Sequence, residues 1–232
     1  MKTIGLIGGM SWESTIPYYR IINEYASSKL GGLHSARIVL YSVEFSELEH
    51  YMSTGKWDNI GAVLSDAAMK LENAGADVIL ICTNTMHKLF PMVSGKVSVP
   101  MIHIADATGD ELERGGIKKV ALLGTRYTMT EDFYKKRLTD RGFEVLIPED
   151  KDIETVNSVI FDELCRGIIK DSSRAAYSSV IEKLKAAGAE GVILGCTEIG
   201  MLIGQKDSAL PIFDTTVIHA ESAARFACNS IG

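Results

Sequence analysis

AGADVILICTNT, residues 74–85, is the most informative stretch of the sequence because it recurs at residues 187–198 as AGAEGVILGCTE. Both copies contain an Ala-Gly helix stop, a short run of Val, Ile and Leu, and a polar turn. They align without a gap at an offset of 113 residues. The pattern predicts a helix end, a buried strand and a loop, present twice in the chain.

Two further segments repeat in the same order. IGLIGG at 4–9 matches VALLGT at 120–125 with an offset of 116 residues, and VPMIHI at 99–104 matches LPIFDT at 210–215 with an offset of 111. One match between buried strands carries little information, since apolar runs resemble one another. Three matches in one order at nearly one spacing indicate a duplicated βα unit.

Between these segments, short apolar runs alternate with long amphipathic ones. The short runs are rich in Val, Ile and Leu, which is typical of strands buried on both faces. Strands that alternate with helices predict an α/β fold with mainly parallel sheets. The predicted strands are 3–8, 36–41, 77–82, 100–104, 119–124, 143–147, 191–195 and 211–214.

The composition limits the classes of partner. Lys and Arg total 24 and Asp and Glu total 30 in 232 residues, a formal charge of −6. An acidic chain without basic runs argues against nucleic acid or an anionic membrane as the main partner. No apolar run approaches the roughly 18 residues that span a bilayer, and the first residues lack the apolar region of a signal peptide. The four cysteines form no CxxC pair, so we expect reduced thiols in a cytoplasmic protein.

The repeat also separates two candidate thiols. At the offset of 113, Cys82 falls on Gly195, and Thr83 falls on Cys196. Successive side chains of a strand point to opposite faces. If Thr83 and Cys196 point into a site beyond the strand ends, Cys82 points back into the core as a small apolar residue.

The loops after the predicted strands are suited to an anion. Ligands of open α/β sheets lie beyond the carboxyl ends of the strands, where residues 8–15, 83–87, 124–131 and 196–198 combine small residues, hydroxyls and backbone N–H groups. The chain has no GxGxxG with a partnering acid and no GxxxxGK[ST], which argues against nucleotides. No zinc-like spacing of Cys and His is present, so we expect no metal. Cys196 is expected to open a helix, whose N-terminus would lower the thiol pKa.

Seven motifs along the chain can be read together: IGLIGGMSWEST, CTNTMH, HIADAT, LLGTRYT, FDELC, GCTEIG and LPIFDTT. In combination they resemble those of a known family, the aspartate/glutamate racemases, and within it the broad-specificity or L-aspartate/glutamate branch. The resemblance implies an isomerase with two pseudo-symmetric Rossmann-like α/β domains, the active site between them, and no cofactor. It further implies a homodimer and a small-molecule amino-acid substrate. With it we predict an N-terminal domain of residues 1–98 plus 211–232, which includes a returning last helix, and a C-terminal domain of residues 99–210.

The family resemblance implies that two cysteines move the α-proton on opposite faces of the substrate. This chain keeps the second, Cys196, but has Thr83 where the family motif CNT has its first. A hydroxyl is a far weaker acid than a thiol and holds no anion at neutral pH without a base, although it can return a proton. Thr83 and Cys196 are therefore the expected catalytic pair, with L-substrates deprotonated better than D-substrates.

The resemblance also implies a set of substrate contacts. Cys165 stands where many aspartate racemases have a lysine for the distal carboxylate, and it is expected to be a packing residue. Two alternatives stay open: an arylmalonate-decarboxylase-like enzyme with a single cysteine, and a non-catalytic amino-acid-binding protein. The expected substrate-binding residues are Met10, Met52, Asn84, Thr85, Thr125, Thr128, Thr197 and Glu198.

Overall fold

The computed structural model describes residues 1–229 and confirms an α/β fold with parallel sheets flanked by helices. The strands are β1 (Thr3–Gly8), β2 (Arg37–Ser42), β3 (Val78–Ile81), β4 (Lys119–Gly124), β5 (Glu144–Leu146), β6 (Gly191–Gly195) and β7 (Ile212–Asp214). The α-helices are α1 (Trp12–Leu30), α2 (Phe45–Ser53), α3 (Trp57–Asn73), α4 (Phe90–Ser94), α5 (Ile104–Arg114), α6 (Arg126–Thr130), α7 (Asp132–Thr139), α8 (Asp150–Asp162), α9 (Asp171–Ala186), α10 (Ile199–Leu202) and α11 (Thr215–Cys228). Short 3₁₀ helices span Thr85–Leu89, Leu164–Arg166 and Gln205–Asp207.

The chain forms two compact units. Unit 1 contains Met1–His103 and the chain from His219 onward, and unit 2 contains Ile104–Ile218. The sheet of unit 1 has the strand order β2-β1-β3, and that of unit 2 has the order β5-β4-β6-β7. Every strand pair in both sheets is parallel.

The pairing of the strands follows the sequence repeat. In unit 1, β1 pairs with β3 so that Ile4 lies opposite Val78. In unit 2, Val120 lies opposite Gly191, and these two positions are the repeat equivalents of Ile4 and Val78 at offsets of 116 and 113. The two sheets therefore share one register at their centres.

One predicted strand is wrong. Residues 100–104 form only an isolated bridge, in which Met101 pairs with Ile79. The bridge consists of the Ile79 N–H donating to Pro100 O at 3.0 Å and the Ile102 N–H donating to Ile79 O at 3.2 Å. The ladder ends there because α5 begins at Ile104. The equivalent segment of unit 2 makes a longer ladder as β7.

The sheet of unit 2 is covered on both faces. Side chains of β4 and β6 alternate between two apolar clusters, as a period of two requires. Leu123 and Leu194 pack with α8 and α9 on one face, and Leu122 and Ile193 pack with α5 and α7 on the other. This double burial explains the continuous apolar runs in the sequence.

The core of unit 1 includes the last helix. The buried strand residues Ile4 and Leu80 pack with α1 and with an alanine face of α11. Cys82 is completely buried in this cluster, which confirms its predicted burial, and that burial raises the pKa of its thiol. The alanines of α11 in the cluster are Ala220, Ala223, Ala224 and Ala227. Among residues 1–229, no helix combines the length and apolar character that a bilayer crossing requires.

Candidate active site

The first candidate turn follows β3 in unit 1. The Cys82 N–H donates to Ile7 O at 2.9 Å as the last link between β3 and β1. Thr83, Asn84 and Thr85 come next and are all buried, with Thr83 8% exposed. A 3₁₀ helix begins at Thr85, and the His87 N–H donates to Asn84 O at 3.0 Å. The strand end and the 3₁₀ helix thus hold the three polar residues in one tight turn.

The loop after β1 is shaped by a glycine. Gly9 has a φ of 90°, and its N–H donates to Thr15 Oγ1 at 2.9 Å. A Cβ at this position would collide with the backbone oxygen of Val43, so the close approach and the left-handed backbone both require glycine. Met10 follows and is buried, and Met52 is buried on α2. Both methionines were predicted as substrate contacts, and the structure shows that both are buried in unit 1.

Three buried histidines lie behind the Thr83 turn in unit 1. The ring of His87 lies 4.5 Å from that of His103 and 5.7 Å from that of His219, measured between centroids. Nε2 of His219 lies 2.9 Å from Ile102 O, and Nδ1 lies 3.0 Å from Tyr18 Oη. A carbonyl only accepts, so Nε2 carries the hydrogen and Tyr18 donates to Nδ1. Burial lowers the pKa of His219 to about 4, which keeps this ring neutral at physiological pH.

The second candidate turn follows β6 in unit 2. Cys196, Thr197 and Glu198 are all buried, and Glu198 is 2% exposed. The Cys196 thiol donates to Glu198 Oε2 at 2.9 Å, and the Thr197 hydroxyl donates to the same oxygen at 2.9 Å. A single carboxylate oxygen of Glu198 therefore accepts hydrogen bonds from both Cys196 and Thr197.

The expected effect of a helix N-terminus on Cys196 is wrong. Burial raises the pKa of the Cys196 thiol well above its usual value, and the negative charge of Glu198 raises it further. The backbone N–H of Glu198 acts in the opposite direction but is the smallest influence. The following helix, α10, starts only at Ile199 and spans four residues, so its dipole is small. Cys196 therefore rests as a thiol with a carboxylate acceptor in place.

Thr125 and Thr128 lie beside the Cys196 turn. Thr125 caps α6 by accepting from the Thr128 N–H at 3.3 Å, and the two hydroxyls are 3.2 Å apart. Gly124 pairs with Gly195 at the ends of β4 and β6. A Cβ at Gly195 would lie 3.3 Å from Thr128 Cγ2. Both loops of unit 2 thus converge at the same strand ends.

Two contacts at the candidate site were missed in the sequence. Glu198 was predicted as a substrate contact, and its bond to Cys196 is a further role that the adjacency of Cys and Glu could have signalled. The contact of Tyr18 with His219 joins residues 201 positions apart, and no local pattern could have revealed it.

Cys165 is half-buried and packs on the same apolar cluster as Cys196. Among residues 1–229, no three His, Cys, Asp or Glu side chains converge as a metal site would require.

Comparison with known proteins identifies the family. The model of the family described as Asp/Glu/Hydantoin racemase matches residues 7–223. The chain belongs to the Asp/Glu/Hydantoin racemase family. Its relatives include a solved structure of an Asp/Glu racemase candidate from Yersinia pestis, which is 54% identical with a TM-score of 0.91, the match covering 98% of this chain and 100% of that one.

Two further relatives agree with this assignment. The crystal structure of an aspartate racemase homologue from Pyrococcus horikoshii is 38% identical with a TM-score of 0.84, over 98% of this chain and 100% of that one. The broad specificity amino-acid racemase RacX from Bacillus subtilis is 27% identical over 227 residues, covering 94% of this chain and 95% of that protein. This member of the racemase family is accordingly an isomerase of the amino-acid racemase type.

Proposed function

We propose that the protein racemises aspartate- and glutamate-like amino acids without pyridoxal phosphate, using Cys196 and Thr83 on opposite faces of the substrate α-carbon. The observation that carries the proposal is the hydrogen bond from the Cys196 thiol to the buried carboxylate of Glu198. It supplies a proton acceptor to a thiol at the position that the sequence repeat aligns with Thr83.

The Cys196 side acts as a thiol–carboxylate pair. The thiol proton moves to Glu198 Oε2, and the resulting thiolate removes the α-proton of an L-amino acid. The Thr197 hydroxyl donates to that same oxygen and so keeps the carboxyl group oriented towards Cys196 throughout. Because the pKa of the thiol is raised, the thiolate forms only transiently, and the site returns readily to the thiol that protonates a carbanion.

The Thr83 side delivers a proton to the carbanion. Its hydroxyl is a weak acid that can donate a proton to a strongly basic carbon and is left as an alkoxide. Solvent water then returns a proton to Thr83 and takes one from Glu198, which resets the site. Abstraction of an α-proton on this side would need the alkoxide first and is therefore slow. Exchange of the α-proton is therefore faster from L- than from D-substrates. Two enantiomers have equal free energy, so kcat/KM for net racemisation is the same in both directions, and the asymmetry lies in exchange alone.

The substrate carboxylate is held by backbone N–H groups and hydroxyls of the two turns. Such donors stabilise the charge that develops on the carboxylate and α-carbon. Glu198 is included for its contact with Cys196, and the others because the family resemblance implies them. The proposed contacts are Met10, Met52, Asn84, Thr85, Thr125, Thr128, Thr197 and Glu198.

A homodimer in the cytoplasm is part of the same proposal. An apolar stripe on α1 supports self-association: Trp12, Ile16 and Tyr19 are 62%, 57% and 58% exposed, and their spacing puts them on one helix face. With Ile16 at its centre, the stripe is suited to an antiparallel contact with a second copy. We expect sedimentation equilibrium to give a dimer that Ile16→Glu weakens, whereas a monomeric wild type would contradict the proposed dimer.

The expectation of four reduced cysteines supports a cytoplasmic location. Cell fractionation measures that location.

Isotope exchange tests the function directly. The protein is incubated in D₂O with a panel of L- and D-amino acids, and the α-proton signal is followed by NMR. We expect exchange and racemisation of aspartate or glutamate in protein free of pyridoxal phosphate and treated with EDTA. Activity that appears only after pyridoxal phosphate or a divalent metal is added would contradict the thiol mechanism. Release of CO₂ from an arylmalonate without exchange would identify a decarboxylase, and binding without exchange would identify a non-catalytic protein.

A further inference from the structure

We infer that His87 is a positioning residue for Thr83, fixing the direction in which the Thr83 hydroxyl points. The inference rests on the proposed function, since it concerns the side of the site that returns the proton. It is carried by contacts that lie entirely within unit 1.

The first observation is a hydrogen bond from the imidazole to the backbone of Thr83. Nδ1 of His87 lies 2.8 Å from Thr83 O, and the carbonyl only accepts, so Nδ1 carries the hydrogen. In an α-helix the backbone N–H of residue 87 would bond to that carbonyl. The segment is a 3₁₀ helix, and the His87 N–H bonds to Asn84 O instead. The side chain of His87 thus makes the hydrogen bond to Thr83 O that its backbone N–H would make in an α-helix.

The second observation is that the ring itself is held on several sides. His87 stacks on Phe90 with an interplanar angle of 10° and 5.6 Å between centroids, and His103 meets it edge-on. His219 packs against it and is fixed in turn by Ile102 and by Tyr18 of α1. A ring that is 2% exposed and packed in this way has few rotamers available.

The consequence for Thr83 follows from its branching at Cβ. A β-branched side chain has few allowed χ1 values, so the backbone largely determines where its hydroxyl points. A bond that fixes the Thr83 carbonyl fixes the peptide plane and so limits the positions that the hydroxyl can take. Loss of that bond lets the turn relax, and displacements near 1 Å at a reacting group cost up to about 10²-fold in rate.

Three variants of His87 separate this role from packing. His87→Phe keeps a flat ring against Phe90 and removes the donor. His87→Asn places an amide N–H near the position of Nδ1, and His87→Gln places it near the position of Nε2. We expect His87→Phe to lower racemisation by roughly 10- to 100-fold while exchange from the L-substrate, which uses Cys196 alone, changes less than about twofold. We expect His87→Asn to restore racemisation, and His87→Gln to restore less.

The readouts keep the possible failures apart. Melting temperatures are measured for each variant. If His87→Phe does not fold, the difference in racemisation between His87→Asn and His87→Gln tests the role of His87. Equal losses of L-exchange and racemisation, or an Asn variant no better than Phe or Gln, would overturn the role of His87 and leave the proposed function standing. A wild-type protein without any α-proton exchange would overturn the proposed function, and the inference with it.

Discussion

Replacement of Cys196 by Ala or Ser is expected to lower α-proton exchange from L-substrates by at least about 10³-fold, near the range that removal of a general base produces. Alanine removes the thiol, and serine leaves Glu198 facing a hydroxyl whose acidity is far too low for the pair to form an anion. Deuterium incorporation at the α-carbon of L-aspartate and L-glutamate measures the loss. Both variants keep a small side chain at a site that already packs tightly, so their folds should be retained.

Cys82→Ala is the matched control for this experiment. Cys82 is a second buried thiol, but it packs among apolar side chains of unit 1. Its truncation is expected to destabilise the fold by no more than a few kcal/mol and to leave exchange broadly intact. Loss of exchange in Cys82→Ala together with activity in Cys196→Ala would reverse the assignment and make Cys82 the catalytic thiol.

Thr83→Cys is expected to raise α-proton exchange from D-substrates by at least about tenfold, because each enantiomer presents its α-proton to one side only and a thiol is a far better base precursor than a hydroxyl. Net racemisation should rise in both directions, since the slow side becomes fast. NMR exchange and polarimetry of D- and L-substrates provide the two measurements.

Two variants control for the size of the side chain at this position. Thr83→Ser keeps the hydroxyl and should leave D-exchange slow. Thr83→Val keeps the shape, removes the hydroxyl, and should lower racemisation without slowing exchange from L-substrates. An unchanged D-exchange rate in a folded Thr83→Cys protein would contradict the role given to Thr83.

Several features of the fold could be predicted because they depend on local pattern. Apolar runs near Ile4, Val78, Val120 and Gly191 indicated strands buried on both faces. The repeat offsets matched Ile4 with Val120 and Val78 with Gly191, and the strand pairing of the two sheets follows the same match. The predicted strand around Met101 is wrong because an apolar segment looks the same in sequence whether it forms a long ladder or a single bridge. The length of the ladder depends on where the next helix begins, and sequence patterns locate helix boundaries poorly.

The site was predicted less completely because its properties depend on tertiary surroundings. A helix N-terminus was expected to control Cys196, yet burial and the neighbouring Glu198 act more strongly on its pKa. The bond from His87 to Thr83 depends on a 3₁₀ rather than an α-helical turn, and sequence does not distinguish the two. The roles of Thr83, Cys196 and the eight substrate contacts, and the domain limits at 98 and 211, stay predictions.

The placement of α11 has a consequence for synthesis on the ribosome. Unit 2 is one continuous stretch of chain inserted into unit 1, so it can fold as soon as it has emerged. The strands of unit 1 are made first, but the alanine face that covers them belongs to α11. At roughly 5–20 residues per second, translation of residues 104–218 imposes a wait on the order of ten seconds before that face exists. The unit that is started first is therefore completed last, and until then its strands lack the part of their cover that α11 supplies.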